Sequence, residues 1–515
     1  MDHAAGFVGS VYVDCPNKPC YLCKRPGHTT ATCPFRLGGE KVETAHGASK
    51  SSRNRNAASR LAARQLEERR DVSWSGRDEE FQWAIPKQWR VTAAVLKLHN
   101  RRVTCLDFCP ARPSLIVSGD KRGQVAFWDY VRVFDKTVLD HGNVHMWLVT
   151  GTKFMPQNLD ADHVYTSAVD GLLCRTNVET QQTMQIGNLN PGITWTEDME
   201  EDGRWRSISA IDAMPSRNAL LCGDDIGQLH IMDTRSGLQA TWLGCKTRTK
   251  VCSVAVNPAN NNLIACAGND HCARLWDVRR MTEAVTVTGA PGNKALNLAL
   301  ATMQHPRVVS HVAFSPLSGH KLVTTCTDNR LRVWDRVTDC NSPPAREIVH
   351  SHDFSRYLTS FKGVFDPKDP TERTLVIGRY ISEDFSGMAL HPIDVFDVST
   401  GRLRAELVDA NVATISPVGV PHPSADVIAA GTSRNLFVWE PVPADELEEQ
   451  DGAREQADRA RAGGASGGAA RAPSTWKPRM LDLDDGKKGG GKKGKGKGGD
   501  DDDDDEKPSK KRKEH

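Results

Sequence analysis

The sequence predicts an all-β fold in which seven four-stranded sheets stand around a central axis as the blades of a propeller. One observation is a pattern that returns along the chain: an apolar strand, a Gly/Asp/Asn turn, then a second apolar strand closing on Trp-Asp or a near copy. The closures are Phe127-Trp128-Asp129, Ile231-Met232-Asp233, Leu275-Trp276-Asp277, Val333-Trp334-Asp335, Val395-Phe396-Asp397 and Val438-Trp439-Glu440. The other is their count. About seven units fit between residues 92 and 441, within the range of about 4–8 blades that propellers use.

Repeats that close on Trp-Asp roughly every 40–45 residues, four strands to a blade, are of the WD40 class. The second unit closes instead on Arg175-Thr176-Asn177, and the sixth carries a long insertion between Ile377 and Ile393. A short helical insert is expected over Ala295–Met303. Such a fold is a platform whose loops bind partners.

The composition bounds what surrounds the propeller. The chain has 515 residues, a formal net charge of +2 and 14 cysteines. A charge so close to zero says nothing about nucleic acid, so the distribution of cations matters more than their sum. Met1–Asp14 lacks the basic and apolar regions of a secretory leader, and no stretch reaches the roughly 18 apolar residues that cross a bilayer. Cys105, Cys252, Cys266 and Cys326 sit in strand-like runs and read as reduced, buried thiols of a cytosolic or nuclear protein, with no membrane partner. The chain divides into a cysteine/histidine segment over 14–36, a polar Arg-rich linker over 41–85 with a short helix expected at Ala57–Arg70, the propeller over 92–441, and a tail over 442–515. The tail is Lys/Gly-rich over Lys487–Gly499, acidic over Asp500–Glu506 and basic over Lys510, Lys511, Arg512 and Lys513. Such a tail buries too little apolar surface to offset its ordering entropy and reads as disordered. Its last basic run fits a nuclear import signal, so the nucleus is the expected compartment.

Cys20, Cys23, His28 and Cys33 form a CCHC zinc knuckle by their spacing. Three thiolates and one imidazole close a tetrahedral Zn2+ shell with no vacant position, which makes the site structural. Gly27 permits the tight turn, and Tyr21 offers a stacking face. Knuckles of this kind stack bases of single strands or contact proteins, and both readings stay open.

Strand alternation assigns the loops to two faces. With strands a to d running from the axis outward, the d-to-a links and b-to-c turns share one face, and the a-to-b and c-to-d turns share the other. Arg101 and Arg102, Lys250, and Arg307 each precede an inner strand. Lys121 and Arg122 make one b-to-c turn, Arg330 belongs to another, and Arg379 and Tyr380 begin the enlarged turn of the sixth unit. Lys246 and Arg248 join the same face. Phosphate binding requires clustered cations of this kind. Arg279, after Trp276-Asp277-Val278, belongs to the opposite face and offers a bidentate donor to a carboxylate, whether a partner's or its own blade's.

These motifs carry a resemblance. Leu263–Arg279, with Asp270, Trp276, Asp277 and Arg279, resembles the Asp…Trp-Asp-x-Arg box of substrate receptors for cullin-4 ubiquitin ligases. His350-Ser351-His352-Asp353-Phe354-Ser355-Arg356-Tyr357-Leu358-Thr359 with Phe365-Asp366-Pro367, Val376–Tyr380, Ile393–Asp397 and Arg101–Leu106 are similar to the small WD40 subunits of UV-damaged-DNA-binding complexes. The knuckle makes the match most similar to the plant and green-algal form. The resemblance covers roughly residues 82–441. It implies binding of damaged double-stranded DNA by a hairpin, Phe354–Tyr357, that enters the minor groove and extrudes the lesion. Phe354, Arg356 and Tyr357 would form its tip, although the chain has Ser355 where the family can carry an aromatic. Arg101, Arg102, Lys121, Lys250 and Arg379 would hold flanking phosphates. The resemblance also implies docking, through the box, of a large multi-propeller adaptor that bridges to the cullin-4 RING ligase. Nucleotide excision repair is the pathway implied.

No Gly-rich phosphate loop, nucleophile elbow or zinc-hydrolase pair is found, so no enzymatic activity is expected of the chain itself. Two other readings remain: a WD40 receptor for a protein ligand such as a histone, and an RNA-processing scaffold.

Overall fold

The computed structural model describes residues 6–8, 11–13, 85, 86, 88–193, 205–281, 296, 298–352, 359–380, 392–409, 411, 412, 414–443, 446 and 479–482. Two short strands, β1 (Gly6–Val8) and β2 (Val11–Val13), pair with each other. The next strand, β3 (Trp89–Leu96), belongs to the last blade.

Seven sheets follow. The first holds β4 (Val103–Phe108), β5 (Leu115–Asp120), β6 (Val125–Asp129) and β7 (Lys136–Leu139). The second holds β8 (Val149–Phe154), β9 (His163–Ala168), β10 (Leu172–Asn177) and β11 (Thr183–Asn188). The third is β12 (Ile208–Met214), β13 (Ala219–Asp224), β14 (Gln228–Asp233) and β15 (Gly237–Leu243), and the fourth β16 (Val251–Val256), β17 (Leu263–Gly268), β18 (Cys272–Asp277) and β19 (Ala301–Gln304). The fifth is β20 (Val309–Phe314), β21 (Leu322–Cys326), β22 (Arg330–Trp334) and β23 (Arg346–Val349), and the sixth β24 (Val364–Phe365), β25 (Thr374–Gly378), β26 (Ile393–Asp397) and β27 (Arg402–Leu407). The seventh is β28 (Val418–Pro421), β29 (Ile428–Gly431) and β30 (Leu436–Pro441), completed by β3 as its outer strand. A further strand, β31 (Arg479–Asp482), lies parallel to β3 at the edge of this blade. The chain thus belongs to the seven-bladed, all-β WD40 architecture expected from its repeats, closed by a strand from before the first blade.

The Trp-Asp closures fall at the ends of the third strands, where each residue has its own reason. Trp128, Trp276 and Trp439 are fully buried, and Thr176, Met232, Trp334 and Phe396 fill the corresponding place in the other blades. The next residue faces the c-to-d turn and closes it. The Asp129 Oδ1 accepts the N–H groups of Val131 and Arg132, both at 3.0 Å. Asn177, Asp233 and Asp397 do the same for the two N–H groups after the next residue. A short side-chain acceptor is what such turns demand, so Asn177 serves where the Trp-Asp signature fails.

The expected helical insert over Ala295–Met303 is corrected in its second half. Ala301–Gln304 is the outer strand of blade four, paired through Leu275↔Ala301 and Ala273↔Met303. Alternating burial along it, with Ala301 and Met303 in and Thr302 and Gln304 out, is the strand period and overrides any local helical preference. The helix expected at Ala57–Arg70, the knuckle and the basic run of the tail lie outside the described residues.

The inner strands surround a channel of about 370 Å³. Asp107, Lys153 and Asp212 charge its wall on the side of the first three blades, and Lys362 and His311 stand among the apolar Ala255, Ala313, Val364 and Val420 of the others. Lys153 Nζ sits 3.2 Å from Asp212 Oδ1. Burial pushes the Asp107 carboxyl up to about 6. The two thiols on the wall, Cys105 and Cys252, are each pushed up to about 11 by burial, the reverse of the activation a nucleophilic cysteine needs.

Candidate nucleic-acid interface

The rim at the d-to-a end is built by carboxylates that the turns enclose. Asp120 ends β5 and is fully buried. Its oxygens accept the N–H of Arg101 at 3.2 Å, of Arg122 at 2.7 Å and of Gln124 at 2.9 Å. One carboxylate therefore fixes the link before the first blade to that blade's own b-to-c turn, and Lys121 N–H bonds the Arg102 carbonyl at 3.0 Å. Arg101, Arg102, Lys121 and Arg122 are brought together by that clamp.

Asp270 repeats the device in blade four. Its Oδ2 accepts the Lys246 N–H at 3.0 Å and meets Arg274 Nη1 at 2.7 Å. The link that follows, Lys246–Lys250, lies on the b-to-c turn of blade three. Gly227 there has φ +98°, and a Cβ on it would meet the Lys246 carbonyl oxygen at 2.6 Å. Only glycine lets the two segments approach so closely. Arg248 N–H bonds the Ile226 carbonyl at 2.9 Å, and Asn269 N–H bonds that of Lys250 at 2.9 Å.

Arg101, Lys121, Arg122, Lys246, Arg248 and Lys250 are exposed, and none has an ion-pair partner among the described residues. Arg307, also exposed, precedes the inner strand of blade five. The other two arginines expected here are corrected. Arg379 Nη1 lies 2.7 Å from the fully buried Asp394 Oδ2, so its charge is neutralised inside blade six. Arg330 Nη1 lies 2.7 Å from Glu347 Oε2 on the neighbouring outer strand, so it meets a phosphate only by exchanging that partner. Burying or pairing a guanidinium favours a local carboxylate over a remote one.

The link between blades five and six is anchored on this rim at both ends. On its near side His350 and His352 are buried and stacked, ring centroids 5.2 Å apart and 20° between planes. His350 Nε2 reaches Asp394 Oδ2 at 3.1 Å, and His352 Nε2 donates to the Cys326 carbonyl at 2.8 Å. Tyr380 N–H bonds the Ser351 carbonyl at 2.9 Å, which sets Tyr380 beside the start of the link. On the far side Thr359 Oγ1 donates to the Val103 carbonyl of blade one at 3.0 Å. Phe354, Arg356 and Tyr357 themselves lie outside the described residues.

The opposite face carries Asp277 and Arg279. The Arg279 side chain is 65% exposed and makes two bonds to Asp277, Nη2 to Oδ2 at 2.8 Å and Nε to Oδ1 at 3.0 Å. Within the Asp…Trp-Asp-x-Arg box these two residues alone reach a surface an adaptor can touch. Asp270 and Trp276 are corrected as contacts. Trp276 is fully buried with Nε1 donating to Cys266 Sγ at 3.3 Å, and Asp270 is buried on the other side of the blade against Arg274. Both act by building the blade. Sequence reasoning also missed Asp120 as an organiser of the rim; an Asp at the end of a strand and three residues before a turn glycine, as in Asp120-Lys121-Arg122-Gly123, is a legible signal for it.

Comparison with known proteins agrees with this architecture. The model of the WD domain, G-beta repeat, matches residues 91–129, 238–277 and 299–335. The chain is 41% identical over 453 residues to "DNA damage-binding protein 2" of Oryza sativa subsp. japonica, covering 87% of this chain and 72% of that protein. It belongs to the DNA damage-binding protein 2 family. "Protein DAMAGED DNA-BINDING 2" of Arabidopsis thaliana is 39% identical over 452 residues, covering 87% of this chain and 75% of the relative. "DNA damage-binding protein 2" of Gallus gallus is 28% identical over 351 residues, covering 66% of this chain and 62% of the relative. The propeller from β3 to β30, residues 89–441, is 353 of the 515 residues, about the extent matched in the chicken protein. Likeness to the plant members of the DNA damage-binding protein 2 family therefore runs beyond the propeller into its flanks.

Proposed function

We propose that this chain recognises UV photolesions in duplex DNA on the basic rim and links them to nucleotide excision repair as the receptor subunit of a cullin-4 RING ubiquitin ligase. The observation that carries the reading is the set of six exposed cations on one rim that lack ion-pair partners among the described residues. Both flanks of the link 353–358 are anchored on the same face, in a chain whose relatives are named for damaged DNA. The cations hold phosphates on either side of the channel mouth, a contact that positions the duplex without reading its sequence. Arg356 and Tyr357, with Phe354 beside them, then enter the groove between bases. Unstacking costs a few kcal/mol and less where damage has already weakened the stack, so selection for a lesion arises from the energy of deformation.

The test is a gel shift with irradiated against unirradiated duplex, competed with single-stranded RNA. Irradiated duplex is expected to bind more tightly, and replacing Arg356 and Tyr357 by alanine is expected to lower that preference more than the background affinity. Equal losses on both duplexes would dismiss the wedge, and displacement by RNA would favour an RNA scaffold. Lys250→Glu is expected to weaken both duplexes together, about tenfold for a reversed charge at a phosphate, and to reduce the salt slope by about 1. An unchanged slope removes Lys250 from the interface.

Arg279 and Asp277 face the adaptor on the opposite side, and the Arg279 fork can exchange its local carboxylate for one on the partner. Cys20, Cys23, His28 and Cys33 would hold one structural Zn2+. Their donor set, three thiols and one imidazole, completes a tetrahedral shell and leaves no position for substrate. Lys510–Lys513 would direct the chain to the nucleus.

A further inference from the structure

The acidic run Asp500–Glu506 is absorbed by none of these roles, and the topology says where it is delivered. Strand β31 pairs parallel to β3, with Leu96 opposite Asp482. Strand β3 runs toward the cationic rim, since Lys97 N–H bonds Asn435 Oδ1 at 2.8 Å in the b-to-c turn of blade seven. The chain therefore leaves Asp482 at the rim, beside the short link that leads from Leu96 to Arg101. From there 17 residues, Leu483–Gly499, precede seven consecutive acids, Asp500–Glu506. A Gly-rich spacer of that length has a reach of roughly 20–25 Å, so the acids are delivered from the rim end of the blade.

We infer that Asp500–Glu506 docks on the basic rim of its own chain, across Arg101, Lys121, Arg122, Lys246, Arg248 and Lys250, and occupies it in the absence of duplex. The charges are complementary, seven acids to six cations that lack ion-pair partners among the described residues. The acids follow one another without interruption, as the phosphates of a strand do, so a surface that accepts a run of phosphates accepts a run of carboxylates. Tethering supplies the concentration. If the segment binds with a Kd on the order of 0.1 mM and is held at an effective concentration on the order of 1 mM, it occludes the rim roughly tenfold. A competitor of this kind lowers affinity for intact and damaged duplex by one common factor. It keeps the rim off bulk DNA and leaves the preference for a lesion unaltered. The docking stands independently of the function proposed above; its competition with duplex rests on that reading.

Two measurements on the full chain test it. Carbodiimide joins carboxylates to amines in direct contact, and its cross-links, mapped by mass spectrometry, are expected between Asp500–Glu506 and Lys121, Lys246 or Lys250, and to disappear when duplex is added. Cross-links confined to Lys487–Lys497 and Lys507 would show the run folded on its own neighbours and would overturn the docking. Replacing the seven acids by serine and asparagine is expected to raise affinity for intact and irradiated duplex alike, roughly tenfold at low salt. Unchanged affinity in this variant, with Lys250→Glu still weakening binding, sinks the competition and leaves the interface standing. Rim cross-links that persist beside saturating duplex, with affinity indifferent to Lys250→Glu, instead sink the interface and keep the docking.

Discussion

Lowering the pH from 7 to 5 is expected to destabilise the propeller by on the order of 5 kcal/mol, most of what a folded domain holds in reserve. His99, His305 and His352 are 1%, 3% and 4% exposed. Each uses Nε2 in a short bond to a neutral group: the Ser118 hydroxyl at 2.7 Å, the Thr324 hydroxyl at 2.9 Å and the Cys326 carbonyl at 2.8 Å. Burial lowers His99 and His352 to about 3 and His305 to about 4, against 6.5 for an exposed imidazole. The unfolded chain then takes up protons that the native chain refuses. The contribution is fully present above pH 6.5 and is lost as the pH falls toward 4 and 3. At pH 5 each histidine costs on the order of 2 kcal/mol. Asp107 opposes the trend. Its carboxyl, raised to about 6 by burial, is protonated in the native channel while the unfolded one is still ionised, which returns about 1 kcal/mol at pH 5. Urea titrations at the two pH values read the difference as a lower midpoint. His311 is lowered in the same way, to about 3. His99→Gln keeps a donor for Ser118 and removes one of these titrating groups, so it should flatten the dependence by about 2 kcal/mol. A midpoint unmoved between pH 7 and pH 5 would reject the account.

Asp270→Ala is expected to cost about 3–5 kcal/mol, because it leaves a buried guanidinium without its counter-charge. The Arg274 and Asp270 side chains are 4% and 1% exposed and meet at 2.7 Å. The same carboxylate also holds the N–H groups of Lys246 and Cys272, at 3.0 and 3.3 Å. The variant should therefore unfold at lower denaturant and, where still folded, bind duplex less well, since the Lys246–Lys250 link loses its anchor. Arg279→Ala is the counterpart. Its exposed fork supports nothing in the core, so its denaturation midpoint should stay where it was, while capture of the adaptor proposed for that face should fall. A stable Asp270→Ala protein that had lost only adaptor capture would restore Asp270 to the role its motif first implied.

That contrast shows how far sequence reasoning reached. The box was legible as a motif, and its two halves serve different faces. Trp276 and Asp270 were read as adaptor contacts, whereas both are buried inside the blade. The rim was legible at Arg101, Lys121, Arg122 and Lys250, because strand alternation alone decides which loops share a face. It was not legible at Arg379 and Arg330. Their carboxylates, Asp394 and Glu347, come from strands 15 and 17 residues away, and no local pattern marks which arginine a blade neutralises. The outer strand of blade seven was missed for the same reason. Trp89–Leu96 pairs with Leu436–Pro441, more than three hundred residues along the chain.

What the sequence determined by itself is the blade: alternating apolar strands, the Trp or its substitute that fills the interior, and the Asp or Asn that closes most of the c-to-d turns. These are local choices, settled by a two-residue period and by hydrogen bonds that span two or three positions. Only the tertiary structure decided which charges stay free, how the ring closes, and on which face the tail leaves. Those depend on partners brought from distant strands, and the pairing energy of a charge is fixed by what is buried beside it rather than by what precedes it in the chain.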